Sequence, residues 1–288
     1  MAAALQLNTP VEITPTAITV AWIGNSLTDF NNLPSMFQNL SLHLPQPVDV
    51  QYRAVMPGGA ALFDHANLSL PVGVETADML SGGPWDYVVL QDQSQTPGGG
   101  RNEDDGLWTL GEAKARSERA LVEFYAPRID AAAVLYATWG HHSGDANNSD
   151  IYPDFPTMTK RTASGYAEYA ALLQKHSVGR AAPMIVPAGE AFQYYWNVSG
   201  ATPPAPGTRF SCLFDHPADA KPCAPRSYYD HMHPSLLGTY LTAALFAATI
   251  HAQPLDQVKW APEGISADDR EFALAVASKV AARETRVQ

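Results

Sequence analysis

A serine and a histidine that lie far apart in the sequence have the surroundings that nucleophilic catalysis requires. Ser26 follows a short apolar run, in the tetrapeptide GNSL, and His233 lies in DHMHP near the other end of the chain. Acyl transfer needs a nucleophile, a base that accepts its proton and an acid that orients the base. Asp230 and His233 are three residues apart, which allows both side chains of one turn to project the same way. The sequence therefore offers Ser26 as nucleophile, His233 as base and Asp230 as the acid.

Amide groups after two other apolar runs are candidate donors to the oxyanion that such a reaction forms. Gly58 and Gly59 follow the second run, and a glycine N–H is accessible because no Cβ blocks the approach of a substrate. Gln93 and Gln95 follow the third run and carry side-chain amides. We expect the oxyanion hole to consist of the N–H groups of Ser26 and Gly59 and the amide of Gln95.

The elements that must position these residues follow from the hydrophobic pattern, in which short apolar runs alternate with segments of helical period. The predicted strands are Ile18–Ile23, Val48–Val55, Tyr87–Leu90, Ala132–Ala137 and Met184–Val186. The predicted helices are Leu33–Leu44, Leu110–Tyr125, Tyr166–His176, a helix that begins at Pro234, and Ala267–Ala282 with Ser266 as its N-cap. The pattern predicts an α/β fold, a three-layer α/β/α sandwich around a central five-stranded parallel sheet. Ligands bind outside the carboxyl ends of such strands, where the candidate residues are expected to meet.

The 288 residues and their 46% hydrophobic content suit one domain with a large core. We expect residues 1–16 to form an N-terminal extension, Pro97–Asp105 a mobile loop, and residues 197–227 a long excursion over the surface, with proline-rich Ala201–Pro225 at its centre. Single-domain organisation over residues 1–288 is the prediction.

The charge balance excludes two classes of partner. The net charge is −11, and no cluster of lysine and arginine is present to neutralise phosphates, so we expect no nucleic-acid or anionic-membrane partner. No apolar run approaches the roughly 20 residues that a membrane-spanning helix needs. The first residues also lack the pattern of a secretory leader.

Two features nevertheless favour a secreted protein, although a cytoplasmic location stays open. Glycosylation-type triplets occur four times, at Asn39, Asn67, Asn147 and Asn197. Cys212 and Cys223 are the two cysteines, and a disulfide between them would stabilise the protein by roughly 3 kcal/mol on the chain-entropy model. Two free thiols are the alternative.

The order of these motifs from Gly24 to Pro234 resembles the SGNH/GDSL-type serine hydrolases. GNSL matches the Gly-Asp-Ser-Leu block of that family, with asparagine at the second position, and Gly58-Gly59 matches the block that contributes an oxyanion glycine. The last block, Asp-x-x-His-Pro, is matched in full. The third block departs from the family, because the chain has no asparagine there; Gln95 falls on the asparagine position and Gln93 on the glycine position.

The resemblance implies a flavodoxin-like SGNH hydrolase fold and a serine esterase that needs no metal or organic cofactor. It implies a small-molecule or polysaccharide ester as substrate, with O-acetyl groups on a carbohydrate first, and a lipase, thioesterase or acyltransferase would use the same residues. Trp139 and His141, after the fourth strand, resemble the substrate-facing loop of a bacterial-type branch, and Asn25 and Gln93 are further candidate substrate contacts.

Two other functions remain open at this stage. His141, His142, His231 and His233 could serve a metal-dependent hydrolase, since His-x-His presents two imidazoles on one side of an extended segment. An inactive relative that binds glycans is the third reading, motivated by the altered third block.

Overall fold

The computed structural model describes residues 16–99, 110–177, 179–200, 208–214 and 231–284. Its centre is one sheet of five parallel strands in the order β2-β1-β3-β4-β5. The strands are β1 Thr16–Ile23, β2 Val48–Val55, β3 Tyr87–Leu90, β4 Ala132–Ala137 and β5 Met184–Pro187. The predicted five-stranded parallel sheet is confirmed, with small shifts only at the start of β1 and the end of β5.

Helices connect the strands and cover both faces of the sheet. Within the described ranges they are α1 Ser26–Asp29, α2 Leu33–Leu42, α3 Leu62–His65, α4 Pro71–Ser81, α5 Leu110–Ala120, α6 Ala126–Arg128, α7 Phe155–His176, α8 Ala188–Val198, α9 Leu236–His251 and α10 Ala267–Glu284. Short 3₁₀ turns lie at Phe30–Asn32, Ala146–Asn148 and Ser211–Leu213, and a π turn, Leu121–Tyr125, joins α5 to α6. The sequence pattern did not predict α3, α4 and α8.

The start of α7 corrects the prediction of a helix that begins at Tyr166. The helix begins at Phe155, because the side chain of Asp154 caps it by accepting the N–H of Thr157 at 2.7 Å. A proline follows in the first turn, where its missing N–H costs nothing. The helix therefore begins eleven residues before Tyr166.

The start of α9 is also corrected. Pro234 lies before the helix, and the N-cap is Ser235, whose Oγ accepts the N–H of Gly238 at 3.1 Å. Ser266 is confirmed as the cap of α10, since its Oγ accepts the N–H of Asp269 at 3.1 Å. The predicted helices Leu33–Leu44 and Leu110–Tyr125 are shorter as regular α-helices, ending at Leu42 and Ala120.

Alternate residues of the strands enter two separate cores. In β1, Val20 and Trp22 pack on the side of α2, α9 and α10, whereas Ala21 and Ile23 pack on the side of α4, α5 and α7. This two-sided burial is typical of parallel sheets covered by helices. The three-layer α/β/α sandwich is therefore confirmed.

The strand order reverses at β1, which has β2 on one side and β3 on the other. The last residue of β1, Ile23, is in register with Val55 of β2 and Leu90 of β3. The loops after these three strands therefore begin at the same level of the sheet, at the kind of switch point where α/β proteins bind ligands.

The expected surface excursion over residues 197–227 is corrected where the structure describes it. Helix α8 extends to Val198, and Phe210, Leu213 and Phe214 are fully or almost fully buried. Residues 201–207 and 215–230 lie outside the described ranges, as do most of Pro97–Asp105 and the predicted N-terminal extension except Thr16. Cys212 is disulfide-bonded, and Cys223, its predicted partner, lies outside the described residues.

Candidate active site

Ser26 and His233 meet at the carboxyl end of the sheet. Ser26 is the first residue of α1, and its Oγ lies 2.7 Å from Nε2 of His233. Both side chains are half-buried, so the pair remains accessible. Asp230, the predicted acid, lies outside the described residues. The geometry therefore joins the predicted nucleophile and base by a hydrogen bond across 207 positions of sequence.

Ring stacking and hydrogen bonds connect the turn after α1 to the segment that carries His233. The ring of Phe30 stacks on the His233 imidazole, with ring centres 4.0 Å apart and planes 10° from parallel. The Asn31 amide donates to the Pro234 carbonyl and to Thr239 Oγ1, both at 3.0 Å. Asn31 has a left-handed backbone (φ 53°), which asparagine tolerates better than most residues. These contacts set the position of the base relative to the serine.

Trp139, a predicted substrate contact, is instead part of the protein interior. It is 1% exposed and stacks on Phe192 at 3.9 Å between ring centres. Its indole Nε1 donates to the carbonyl of Met232 at 2.9 Å. Trp139 therefore supports Met232, the residue before His233, and it is too deeply buried to contact a substrate.

Asn25 is also a structural residue rather than a substrate contact. It is 2% exposed, and its Oδ1 accepts the N–H of Leu27 as the cap of α1 at 3.0 Å. Its Nδ2 donates to the carbonyl of Ala60 at 2.9 Å, and its backbone N–H donates to Gln91 Oε1 at 2.9 Å. Asn25 thus ties the loop that carries Ser26 to the loops after β2 and β3.

Gly59 lies in an exposed turn after β2, next to the Ala60 carbonyl that binds Asn25. Its φ is +74°, and a Cβ added there would meet no protein atom within 4 Å. The need for glycine therefore comes from the left-handed backbone, not from crowding by the protein. Gly58 beside it is equally open but has no positive φ.

The loop after β3 uses its amides within the protein. Gln95 donates through Nε2 to Asp145 Oδ2 at 2.6 Å, and its Oε1 accepts from Gln93 Nε2. Gln93 Oε1 in turn accepts the N–H of Gln95 at 2.9 Å and the hydroxyl of Thr96 at 3.2 Å. Burial alone would raise the pKa of Asp145, but hydrogen bonds from Asn148 and Gln95 outweigh it and lower the pKa. The side-chain amide of Gln95 therefore already donates to the Asp145 carboxylate, and its role in the oxyanion hole stays a prediction.

His141 is half-buried in the loop after β4, and its Nε2 lies 3.0 Å from Oγ of Ser94. The Ser94 hydroxyl, buried and missed by the sequence analysis, also contacts Sδ of Met232 at 3.6 Å. His142 donates its N–H to the carbonyl of His231 at 2.6 Å. These contacts connect the loop after β4 to the segment that carries His233.

The metal-dependent reading receives no support from the described histidines. Among the residues that the structure describes, no group of three or more histidine, cysteine, aspartate or glutamate side chains is arranged to hold a metal ion. In the same ranges, none of the helices is long and apolar enough to cross a membrane.

Comparison with known proteins assigns the fold. No protein-family model matches the chain, and no curated protein matches it. Among solved structures, a candidate SGNH hydrolase from Slackia heliotrinireducens is 22% identical, with a TM-score of 0.54 over 82% of this chain and 100% of that chain. The chain has the SGNH hydrolase fold. A DUF4886 family protein from Bacteroides uniformis superposes with a TM-score of 0.63 at 15% identity, over 92% of this chain and 94% of that chain.

On this SGNH fold, the GNSL serine at the start of α1, the glycine turn after β2 and the DHMHP histidine all lie at the carboxyl end of the sheet. A catalytic mutant of an acetylxylan esterase from Geobacillus stearothermophilus is a looser match, with 13% identity and a TM-score of 0.47 over 86% of this chain and 97% of that chain. The two structures with TM-scores of 0.54 and 0.63 establish the fold, and the reaction is argued from the site.

Proposed function

We propose that the protein is a serine esterase that hydrolyses short-chain carboxylic esters through an acyl-enzyme. The observation that carries the proposal is the 2.7 Å contact between Ser26 Oγ and His233 Nε2. A nucleophile in hydrogen-bond contact with a base is the arrangement that covalent acyl transfer requires. Asp230 completes the triad on the sequence motif alone.

The reaction runs in two balanced halves. Ser26 Oγ attacks the ester carbonyl while His233 Nε2 takes its proton, and the N–H groups of Ser26 and Gly59 donate to the oxyanion. The imidazolium then protonates the departing alkoxide, which leaves an acyl group on Ser26. Water attacks this acyl group while His233 takes its proton, and the imidazolium then returns that proton to Ser26 Oγ as the acyl–Oγ bond breaks and the acid is released. Asp230 orients the imidazole, and no step calls for a metal or organic cofactor.

O-acetyl groups on a carbohydrate are the first substrate to test, on the strength of the motif resemblance. Lipid esters and thioesters come second, and transfer of the acyl group to a hydroxyl would use the same residues. A series of activated esters of increasing chain length, run beside acetylated polysaccharides, separates these classes. We expect activity to be highest on acetyl; a maximum at eight carbons or longer would indicate a lipase.

Ser26→Ala tests the mechanism in the same assays, with Ser81→Ala as the matched control. Ser81 is exposed at the end of α4, and its hydroxyl contacts only the Asp78 carbonyl in the described structure. We expect Ser26→Ala to lose at least about a thousandfold in kcat and Ser81→Ala to match the parent. Full activity in Ser26→Ala, or no activity of the parent on any ester, would refute the proposal. Activity that survives exhaustive chelation would exclude the metal-dependent alternative.

A further inference from the structure

A fully buried histidine lies between the loop that carries Ser26 and the loop that carries Gly59. His65 is the last residue of α3, with 0% of its surface exposed. A buried imidazole is costly unless both nitrogens have partners. Nε2 of His65 lies 2.9 Å from the carbonyl oxygen of Gly24, and Nδ1 lies 2.9 Å from Oγ1 of Thr76. Both nitrogens are therefore satisfied.

These partners define the protonation state of His65. A carbonyl oxygen only accepts, so Nε2 carries the proton and donates it to Gly24. The Thr76 hydroxyl can donate or accept, and burial of the ring favours the neutral form, in which Nδ1 accepts from that hydroxyl. Burial lowers the pKa of His65, against the opposing effects of the Gly24 carbonyl and Asp64. The ring therefore stays in one tautomer at neutral pH.

The helix that carries His65 is fixed from several directions. The N–H of Leu62, the first residue of α3, donates to Asp92 Oδ1 at 2.9 Å. The Leu62 carbonyl accepts the hydroxyl of Tyr125 at 3.1 Å. Helix α3 follows directly on the turn that contains Gly59, so a fixed α3 fixes the exit from that turn.

Two hydrogen bonds cross between this region and the Ser26 loop in opposite directions. His65 donates to the Gly24 carbonyl, two residues before Ser26, and Asn25 donates to the Ala60 carbonyl, one residue after Gly59. We propose that His65 is a positioning residue that, with Asn25, holds the N–H groups of Ser26 and Gly59 at the separation an oxyanion needs. The inference rests on the proposed function, since the separation matters only if an oxyanion forms there. Oxyanion donors act over a narrow range of about 2.7–3.1 Å.

A matched pair of substitutions separates positioning from packing. Glutamine places an amide nitrogen close to the position of Nε2 and retains a donor to Gly24, whereas methionine has similar length without a donor. We expect His65→Gln to keep kcat on an activated acetate ester within about threefold of the parent. We expect His65→Met to lower kcat about 10- to 100-fold with KM nearly unchanged, because displacement of catalytic groups by about 1 Å costs up to 100-fold.

Circular dichroism and the thermal unfolding midpoint show whether each variant is folded. If His65→Met does not fold, His65→Asn replaces it, since its shorter amide reaches the position of Nδ1 and not that of Nε2. Equal kcat in His65→Gln and in the variant that lacks a donor to Gly24, His65→Met or its replacement His65→Asn, would overturn the inference. A parent that neither hydrolyses esters nor reacts with a fluorophosphonate would refute the proposed function itself. An active parent with an equally active His65→Met would refute only the role of His65.

Discussion

The loops after β1 and β3 begin at the same level of the sheet, yet they use their polar side chains differently. In the first loop, buried partners such as Gln91 and His65 hold the backbone, which leaves the Ser26 hydroxyl for His233. In the third loop, Gln93 and Gln95 bond to each other and to Asp145. A side chain is therefore available for chemistry where other groups hold its loop in place.

Gly59→Ala, with Gly58→Ala as its control, tests the turn after β2 that Asn25 ties to the Ser26 loop, and we expect the largest effect of the three substitutions here. Alanine at φ +74° costs about 1–2 kcal/mol, so the turn relaxes and its N–H moves. We expect kcat to fall by roughly 10- to 100-fold, toward the loss of an oxyanion donor. Gly58→Ala, in equally open space without a positive φ, should remain near the parent. Equal activity in both variants would remove Gly59 from the oxyanion site.

Gln95→Ala tests the third loop, and we expect a smaller effect. Because the Gln95 amide already donates to Asp145, its removal should lower kcat by less than about tenfold, below the roughly 100- to 1,000-fold loss of an oxyanion donor. Asp145→Asn removes the charge of the partner and should resemble Gln95→Ala. A drop of 100-fold or more in Gln95→Ala alone, with KM unchanged, would restore Gln95 as a donor and end the contrast between the loops.

Asp92→Asn is expected to change the free energy of unfolding and its pH dependence, and to have the smallest effect on kcat of the three substitutions. Asp92 follows β3 and is fully buried; burial raises the pKa of its carboxyl, against the hydrogen bonds it accepts from Leu62 and Tyr169. A carboxyl with a raised folded-state pKa stabilises the fold below its unfolded pKa of about 3.8 and loses that contribution as pH rises through the folded-state pKa.

Each unit by which the pKa of Asp92 is raised costs about 1.4 kcal/mol once the carboxyl is ionised. Urea unfolding of the parent and of Asp92→Asn between pH 4 and pH 8 measures this term. We expect the stability of the variant relative to the parent to increase with pH over this range and then level off. If the difference in unfolding free energy between variant and parent did not change with pH, ionisation of Asp92 would not destabilise the fold.

The sheet and the meeting of Ser26 with His233 could be predicted from the sequence because their signals are local. Strands β3, β4 and β5 are short apolar runs and β2 alternates apolar with polar residues, and the motifs around Ser26 and His233 have fixed spacing. The start of α7 differs from the prediction because its signals are only Asp154 and the proline of the first turn, and because polar Thr159 and Thr162 lie on its buried face. His65 and Ser94 were missed because their partners lie 41 and 47 positions away, which no local pattern reveals.

Trp139 and Asn25 were predicted to contact the substrate, but the structure buries both side chains. Their position after a strand was read correctly, but burial depends on which neighbours pack above them, such as Phe192 over Trp139. Each side chain is used to fasten a loop, Trp139 through Met232 and Asn25 through Ala60. A strand-end residue close to the site can therefore be part of its support.

Covalent labelling tests whether Ser26 is the nucleophile that His233 activates. The parent is treated with a fluorophosphonate, and the modified residue is identified by peptide mass spectrometry. We expect one adduct on Ser26, which is absent in Ser26→Ala and forms far more slowly in His233→Ala. An adduct on another serine, or esterase activity that persists without any label at Ser26, would contradict it.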